Sequence, residues 1–147
     1  MQAKAAPVLF RNARNCREIL VFEHPIAGVQ LIKGTVEPGE STAAAAMREL
    51  AEETGITSAC WVSALGSWES GHEQQTWHFH EVNAALALPE TWHHHANDDG
   101  GHLFRMFWHE LSAQPSPNWH PVHARAVIHL RGLLSQRSQQ QSRVNPQ

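Results

Sequence analysis

The sequence predicts an α/β fold, with a mixed sheet held between helical layers. Three observations carry that prediction. Short apolar, β-prone runs recur along the chain, as in EILVF at 18–22. Two helical patterns stand far apart, one ending at Gly55 and one beginning near Pro121. Strand runs lie on both sides of the first helix and lead into the second, so each helix has a sheet to cover.

Length and composition set the frame. The 147 residues suit one domain, drawn here as 1–135 with a polar tail at 136–147. Hydrophobic residues at 41% and charged ones at 17% fit a soluble globular chain. A formal charge of −3 argues against a general nucleic-acid surface, which would be basic. It leaves room for a small anionic substrate, because metal ions can supply positive charge locally. Cys16 and Cys60 lack a metal-type spacing and read as free thiols. No apolar run approaches the roughly 20 residues that span a bilayer, and MQAKAAPVLF has no secretory apolar region. The expected location is the cytoplasm. An edge strand or an apolar helix face could carry a homodimer, though no stretch demands one.

The elements follow in order. Strands are expected at 6–10 and 18–23, then a turn at His24-Pro25 and a short apolar run at 29–32 that leads into Gly34. Pro38-Gly39 marks another turn. Ser41 or Thr42 can cap a helix that opens with four alanines, and Gly55 suits the left-handed residue that ends one. A helix should therefore run from about 42 to about 54. Residues 59–68 read as a strand weakened at Gly66. In 76–82, Trp77, Phe79 and Glu81 alternate with Thr76, His78, His80 and Val82, and either face could be the buried one. The stretch 83–103 reads as a long irregular loop, of the kind that is commonly functional or disordered. A strand at 103–111 follows. The last helix, about 120–135, places Val122, Ala126, Ile128 or His129, Leu130, Leu133 and Leu134 on one side. The polar residues after it read as a frayed tail.

The chemistry concentrates at 34–56, GTVEPGESTAAAAMRELAEETGI. At about 100° per residue, Glu49, Glu52 and Glu53 share one helix face, opposite Ala43, Met47, Leu50 and Ala51. Three carboxylates within one turn repel each other, and they lie at the helix end where the macrodipole disfavours negative charge. A solvated acidic face is the plainer explanation, but such an arrangement costs stability unless cations compensate it. Oxygen donors of this kind suit Mg²⁺ or Mn²⁺ joined to substrate phosphates. Nothing in the segment has the Cys/His pattern of a zinc site.

At these residues the chain resembles the Nudix hydrolases. Their box reads G, five residues, E, seven residues, R-E-U-x-E-E-x-G-U, with U a bulky aliphatic. Gly34, Glu40, Arg48, Glu49, Leu50, Glu52, Glu53, Gly55 and Ile56 fill every required position. The resemblance implies an α/β/α sandwich and Mg²⁺-dependent cleavage of a pyrophosphate bond in a nucleoside diphosphate derivative, with Mn²⁺ a substitute. It implies Glu52 and Glu53 as principal metal ligands and Glu49 as ligand or general base. Gly34 would add its backbone carbonyl, and Arg48 would orient Glu49 or pair with Glu40 rather than clamp phosphate. A further ligand or base from outside the box is expected among Glu81, Asp98, Asp99 and Glu110. Trp77, Trp92 and Trp108 are candidates to stack a nucleobase, with core packing as the alternative for each.

The expected substrate is a small nucleotide. A nucleoside or deoxynucleoside triphosphate comes first, with dinucleoside polyphosphates or nucleotide sugars as alternatives. A non-catalytic nucleotide sensor on the same fold and a plain divalent-metal protein are the competing classes. The complete set of box glutamates favours the enzyme. His93, His94 and His95 read as part of a polar loop rather than a metal site, because adjacent histidines rarely converge on one ion. His78, His80, His102 and His109 read as strand-face residues.

Overall fold

The computed structural model describes residues 2–97 and 101–144. Strand β1 (Gln2–Ala13) extends well beyond the apolar run at 6–10 and serves both halves of the sheet. Residues 2–9 pair in parallel with β6 (Gln75–Ala84), while residues 10–13 pair antiparallel with β2 (Cys16–His24). Where β1 and β2 no longer pair, two short strands fill the fork. β3 (Gly28–Leu31) pairs with β2, and β4 (Gly34–Thr35) pairs with β1. Ile32 and Lys33 span that fork. β5 (Ala59–Glu69) flanks β6, β8 (His102–Glu110) flanks β2, and β7 (Trp92–Ala96) lies beyond it. The order is β5-β6-β1-β2-β8-β7, a mixed sheet.

Alternation sends successive strand residues to opposite faces. Val8, Ile19, Val21, Trp77 and Phe79 meet Val122, Ala126, Val127 and Leu130 of α2 (Pro121–Val144). Leu9, Leu20, Phe22 and Val82 go to the other face and meet Leu50 of α1 (Thr42–Thr54). The result is an α/β/α sandwich, and both faces of β6 are buried. Burying Leu50 completely stabilises the fold by about 1.5–3 kcal/mol. Among the described residues, no helix is long and apolar enough to cross a membrane.

Three expectations need correction. The stretch 83–103 is not one loop, because Trp92–Ala96 forms β7 along β8. Its alternation of half-buried Trp92 and His94 with exposed His93 and His95 is that of a strand with one covered face. The polar segment after 135 continues α2 through Val144 rather than fraying. It holds no Gly or Pro before Pro146, and Arg137 Nη1 ties it to β5 through Ser63 Oγ and the Ala64 carbonyl. In α2, Val122, Ala126, Leu130, Leu133 and Leu134 face the core as expected, but Val127 takes the place expected of Ile128, which is 49% exposed.

Candidate active site

Helix α1 is bounded as its sequence dictates. Ser41 Oγ accepts from the Ala44 amide, and Gly55, at φ 80°, donates its N–H to the Ala51 carbonyl. The carbonyls at the C-terminal end are met from β7. Trp92 Nε1 donates to Thr54 O at 2.9 Å, and His94 Nε2 donates to Glu52 O at 3.1 Å. This role for His94 was not visible in the histidine triplet, because it depends on β7 lying against the helix end.

The acids are gathered by one guanidinium. Arg48 Nε and Nη2 grip Glu40 at 2.8 and 2.9 Å. Nη1 donates to Glu49 Oε1 at 2.7 Å and to Glu52 Oε2 at 3.2 Å, and Nη2 also reaches the Thr35 carbonyl at 2.9 Å. A guanidinium has five N–H donors, and all five are used. Arg48 therefore organises the carboxylates and has none left for a phosphate. Its hydrogen bonds to Glu40 are the main reason that carboxyl is lowered to about 2. The Arg48 pKa is raised in return, first by Glu40 and further by Glu49.

Gly34 and Lys33, at the fork of the sheet, complete the arrangement. A Cβ on Gly34 would land inside the Glu49 carboxylate, so only glycine lets that buried side chain lie against β4. The Lys33 amide donates to Glu53 Oε2 at 3.3 Å. The Lys33 ammonium lies 5.3 Å from the Trp77 ring centre, with its pKa lowered by burial first and by Lys4 next, against the pull of Glu53 and Glu49.

Glu53 lines two clefts. One, of about 470 Å³, includes Glu52, His94, His95 and Asn97. The other, of about 310 Å³, includes Lys33 and five histidines, at 24, 72, 102, 120 and 123, beside the stacked rings of Phe22 and Phe104. Three of these imidazoles have a defined proton position. His24 Nδ1 accepts from the amides of Ile26 and Ala27, His120 Nδ1 from Val122, and His123 Nδ1 from Leu31. A ring that accepts at Nδ1 carries its proton at Nε2, as a neutral donor. Burial is the first cause holding His120 and His123 below the usual imidazole range, with Lys33 next. His120 and His123 thus line the cleft as neutral N–H donors, beside the Lys33 ammonium and the carboxylates of Glu53 and Glu73. Sequence reasoning missed His24, His72, His120 and His123. Twelve histidines in 147 residues is a high count, but His24 and His72 stand alone, and His120 and His123, three apart, lie far from both in the sequence.

Other candidates fall elsewhere. Glu110 is at the far end of β8 from His102, roughly 27 Å along the strand, beside Cys16 and Glu18. Glu81 shares the strand face of Trp77 and Phe79, whose side chains face α2 rather than α1. Asp98 and Asp99 lie outside the described residues. The three tryptophans serve packing. Trp77 is fully buried, edge-on to Trp68 and His123. Trp92 is the helix cap just described, and Trp108 bonds the Pro89 carbonyl beneath the Arg11 guanidinium.

The donor set at the site is all carboxylate oxygen and suits a hard divalent cation. Among the described residues, no three His, Cys, Asp or Glu side chains converge closely enough to hold an ion as they stand. Glu49 and Glu53 are drawn in against Gly34 and Lys33, while Glu52, its side chain 57% exposed, leans on Arg48. Two of the three acids are thus already at the fork and the third is on the same helix face.

A mixed sheet between helices, with an acid-bearing helix at its fork, defines a phosphate-processing sandwich of the Nudix type. The NUDIX domain matches residues 1–130, and the chain belongs to that family. Its fold is similar to a UDP-X diphosphatase, at 12% identity and TM-score 0.67, covering 92% of this chain and 64% of that one. The chain therefore spans less than two thirds of that diphosphatase. It is also similar to an ADP-ribose pyrophosphatase from Streptococcus suis, at 13% identity and TM-score 0.64, covering 92% of both chains. A C. elegans Ap4A hydrolase shares 22% identity at TM-score 0.52, covering 76% of this chain and 81% of that one. No curated protein matches the sequence.

Proposed function

We propose that this Nudix hydrolase cleaves the pyrophosphate bond of a nucleoside diphosphate joined to a second group. The observation that carries this reading is that Glu53 lines two clefts. A substrate with a sizeable group at each end of its pyrophosphate can fill both. A nucleoside triphosphate, the first expectation from the sequence, has a bulky group at one end alone. The neighbours named for UDP-X, ADP-ribose and Ap4A point the same way.

Glu49, Glu52, Glu53 and the Gly34 carbonyl would hold Mg²⁺ or Mn²⁺. Bound there, the cation would neutralise charge on the phosphate oxygens and acidify water. The chain's own groups do the positioning. Arg48 holds Glu49 through a 2.7 Å hydrogen bond, so that it can orient the attacking water and take its proton. The Lys33 ammonium and the imidazole N–H groups of His120 and His123 donate to acceptors on the substrate half that enters their cleft.

The test is release of mononucleotide or phosphate products across ADP-ribose, a UDP-sugar, Ap4A and deoxynucleoside triphosphates, with Mg²⁺ present. Turnover highest on the joined diphosphates supports the reading, and a preference for triphosphates overturns it. Tight binding without turnover on any of them would make the chain a sensor instead.

A further inference from the structure

The structure assigns a second anion site to this chain, separate from the hydrolytic centre: a cleft between the start of β2 and the C-terminal half of α2 that takes a phosphate group. Its volume is about 480 Å³, and its walls include Arg17, Arg131, Ser135, Ser138, Leu111 and Leu134. Five of its eight lining residues follow residue 130, beyond the span matched by the NUDIX domain. The site belongs to the extension of α2 and not to the box.

Both guanidiniums are held in place without being neutralised. Arg17 stacks on the Phe10 ring at 3.8 Å, and Arg131 Nη1 donates to the Ser112 carbonyl at 3.2 Å. Neither forms an ion pair among the described residues, whereas Arg11, Arg48 and Arg105 all do. Arg131 Nε is buried with no hydrogen-bond partner. A buried donor without an acceptor is costly, and a small turn of the guanidinium toward an oxyanion in the cleft would supply one. Glu110 accepts from Ser112 Oγ and lines a different pocket with Cys16 and Glu18. Two fixed planar forks with serine hydroxyls beside them suit the oxygens of a phosphate. Leu111 and Leu134 add an apolar wall, on which the organic part of a phosphomonoester can rest.

The test is an NMR titration of the full chain, with chelator present so that divalent ions play no part. Inorganic phosphate is one probe and a nucleoside monophosphate the other, with sodium chloride at matched ionic strength as control. The expected result is a saturable shift of the Arg131 Nε–H signal and of the Ser112 and Ser135 amides, with Glu49 and Glu53 unmoved. Arg17→Gln and Arg131→Gln should each weaken binding roughly tenfold. Arg17 is exposed, so its variant keeps the test valid if the Arg131 variant does not fold. Tighter binding of the monophosphate assigns the site to a phosphomonoester, and equal binding assigns it to free phosphate. Shifts that chloride reproduces, or that survive Arg17→Gln unchanged, overturn the site.

Discussion

The acidic face of α1 and the histidine cleft meet at Glu53, yet they are built in opposite ways. The acidic face is local. Glu40, Arg48, Glu49, Glu52 and Glu53 come from one loop and one helix, and a single guanidinium binds three of the four carboxylates directly. The cleft is assembled from β2, β3, the turn before β6, β8 and the start of α2. His24, His120 and His123 each accept a backbone amide at Nδ1, and burial holds His120 and His123 below the usual imidazole range. The difference teaches how the work divides. Charge for bond cleavage can be written into one turn of helix, because i, i+3 and i+4 carboxylates share a face whatever surrounds them. Donors that recognise a substrate half have to be brought from several elements, so they follow the sheet rather than a motif.

Variants can break or sharpen that contrast. The largest effect is expected at the junction. Glu53→Gln should lower kcat by at least about 10²-fold, as removal of other transition-state-stabilising groups does. Steady-state hydrolysis with Mg²⁺ checks it, and near-normal turnover would remove Glu53 as the meeting point of the two regions. Gly34→Ala comes next, because its methyl group must displace the buried Glu49 carboxylate. The expected cost is about 1–3 kcal/mol in denaturant unfolding, together with reduced kcat. If stability falls and kcat does not, the position of Glu49 is structural alone. On the cleft side, His123→Phe leaves the Leu31 amide without its acceptor. It should cost about 1–3 kcal/mol, and KM should change more than kcat. A loss confined to kcat would place His123 with the chemistry.

Acid titration separates the regions by pH. His123 is held well below its ordinary 6.5 in the folded protein, by burial first. Its contribution to stability is complete above 6.5 and is lost as pH falls toward the depressed folded value. Glu40 is held at about 2 against an ordinary 4.5, chiefly by Arg48. Its contribution is complete above 4.5 and is lost as pH falls through about 2. Unfolding curves at stepped pH should show the upper window weakened in His123→Phe and the lower one weakened in Arg48→Gln. The smallest effect belongs to Ser41→Ala, about 1 kcal/mol from the lost cap, with KM unchanged.

Much of the box was legible because its physics is short-range. Cap, alanine run, acid spacing and terminal glycine are all settled within a few turns of chain. The apolar runs at 6–10 and 18–23, with two helices far apart, likewise pointed to a sheet covered on both faces, and Val8 and Leu9 do face opposite cores. Other features were hidden for physical reasons. Trp92–Ala96 reads as loop because three histidines carry no apolar alternation, and the strand exists through pairing with β8. The end of α2 reads as tail because its stability comes from Arg137 reaching β5.

By itself, then, the sequence determined the acid-bearing helix, the family to which it belongs and the two-faced sheet, since each rests on spacing along one element. The tertiary structure alone decided that Gly34 lies against Glu49, that Glu53 lines two clefts, and that scattered histidines become a wall of neutral donors. Those outcomes depend on where β1 and β2 part and on which backbone amide meets each ring. Neither is encoded in any local run of residues.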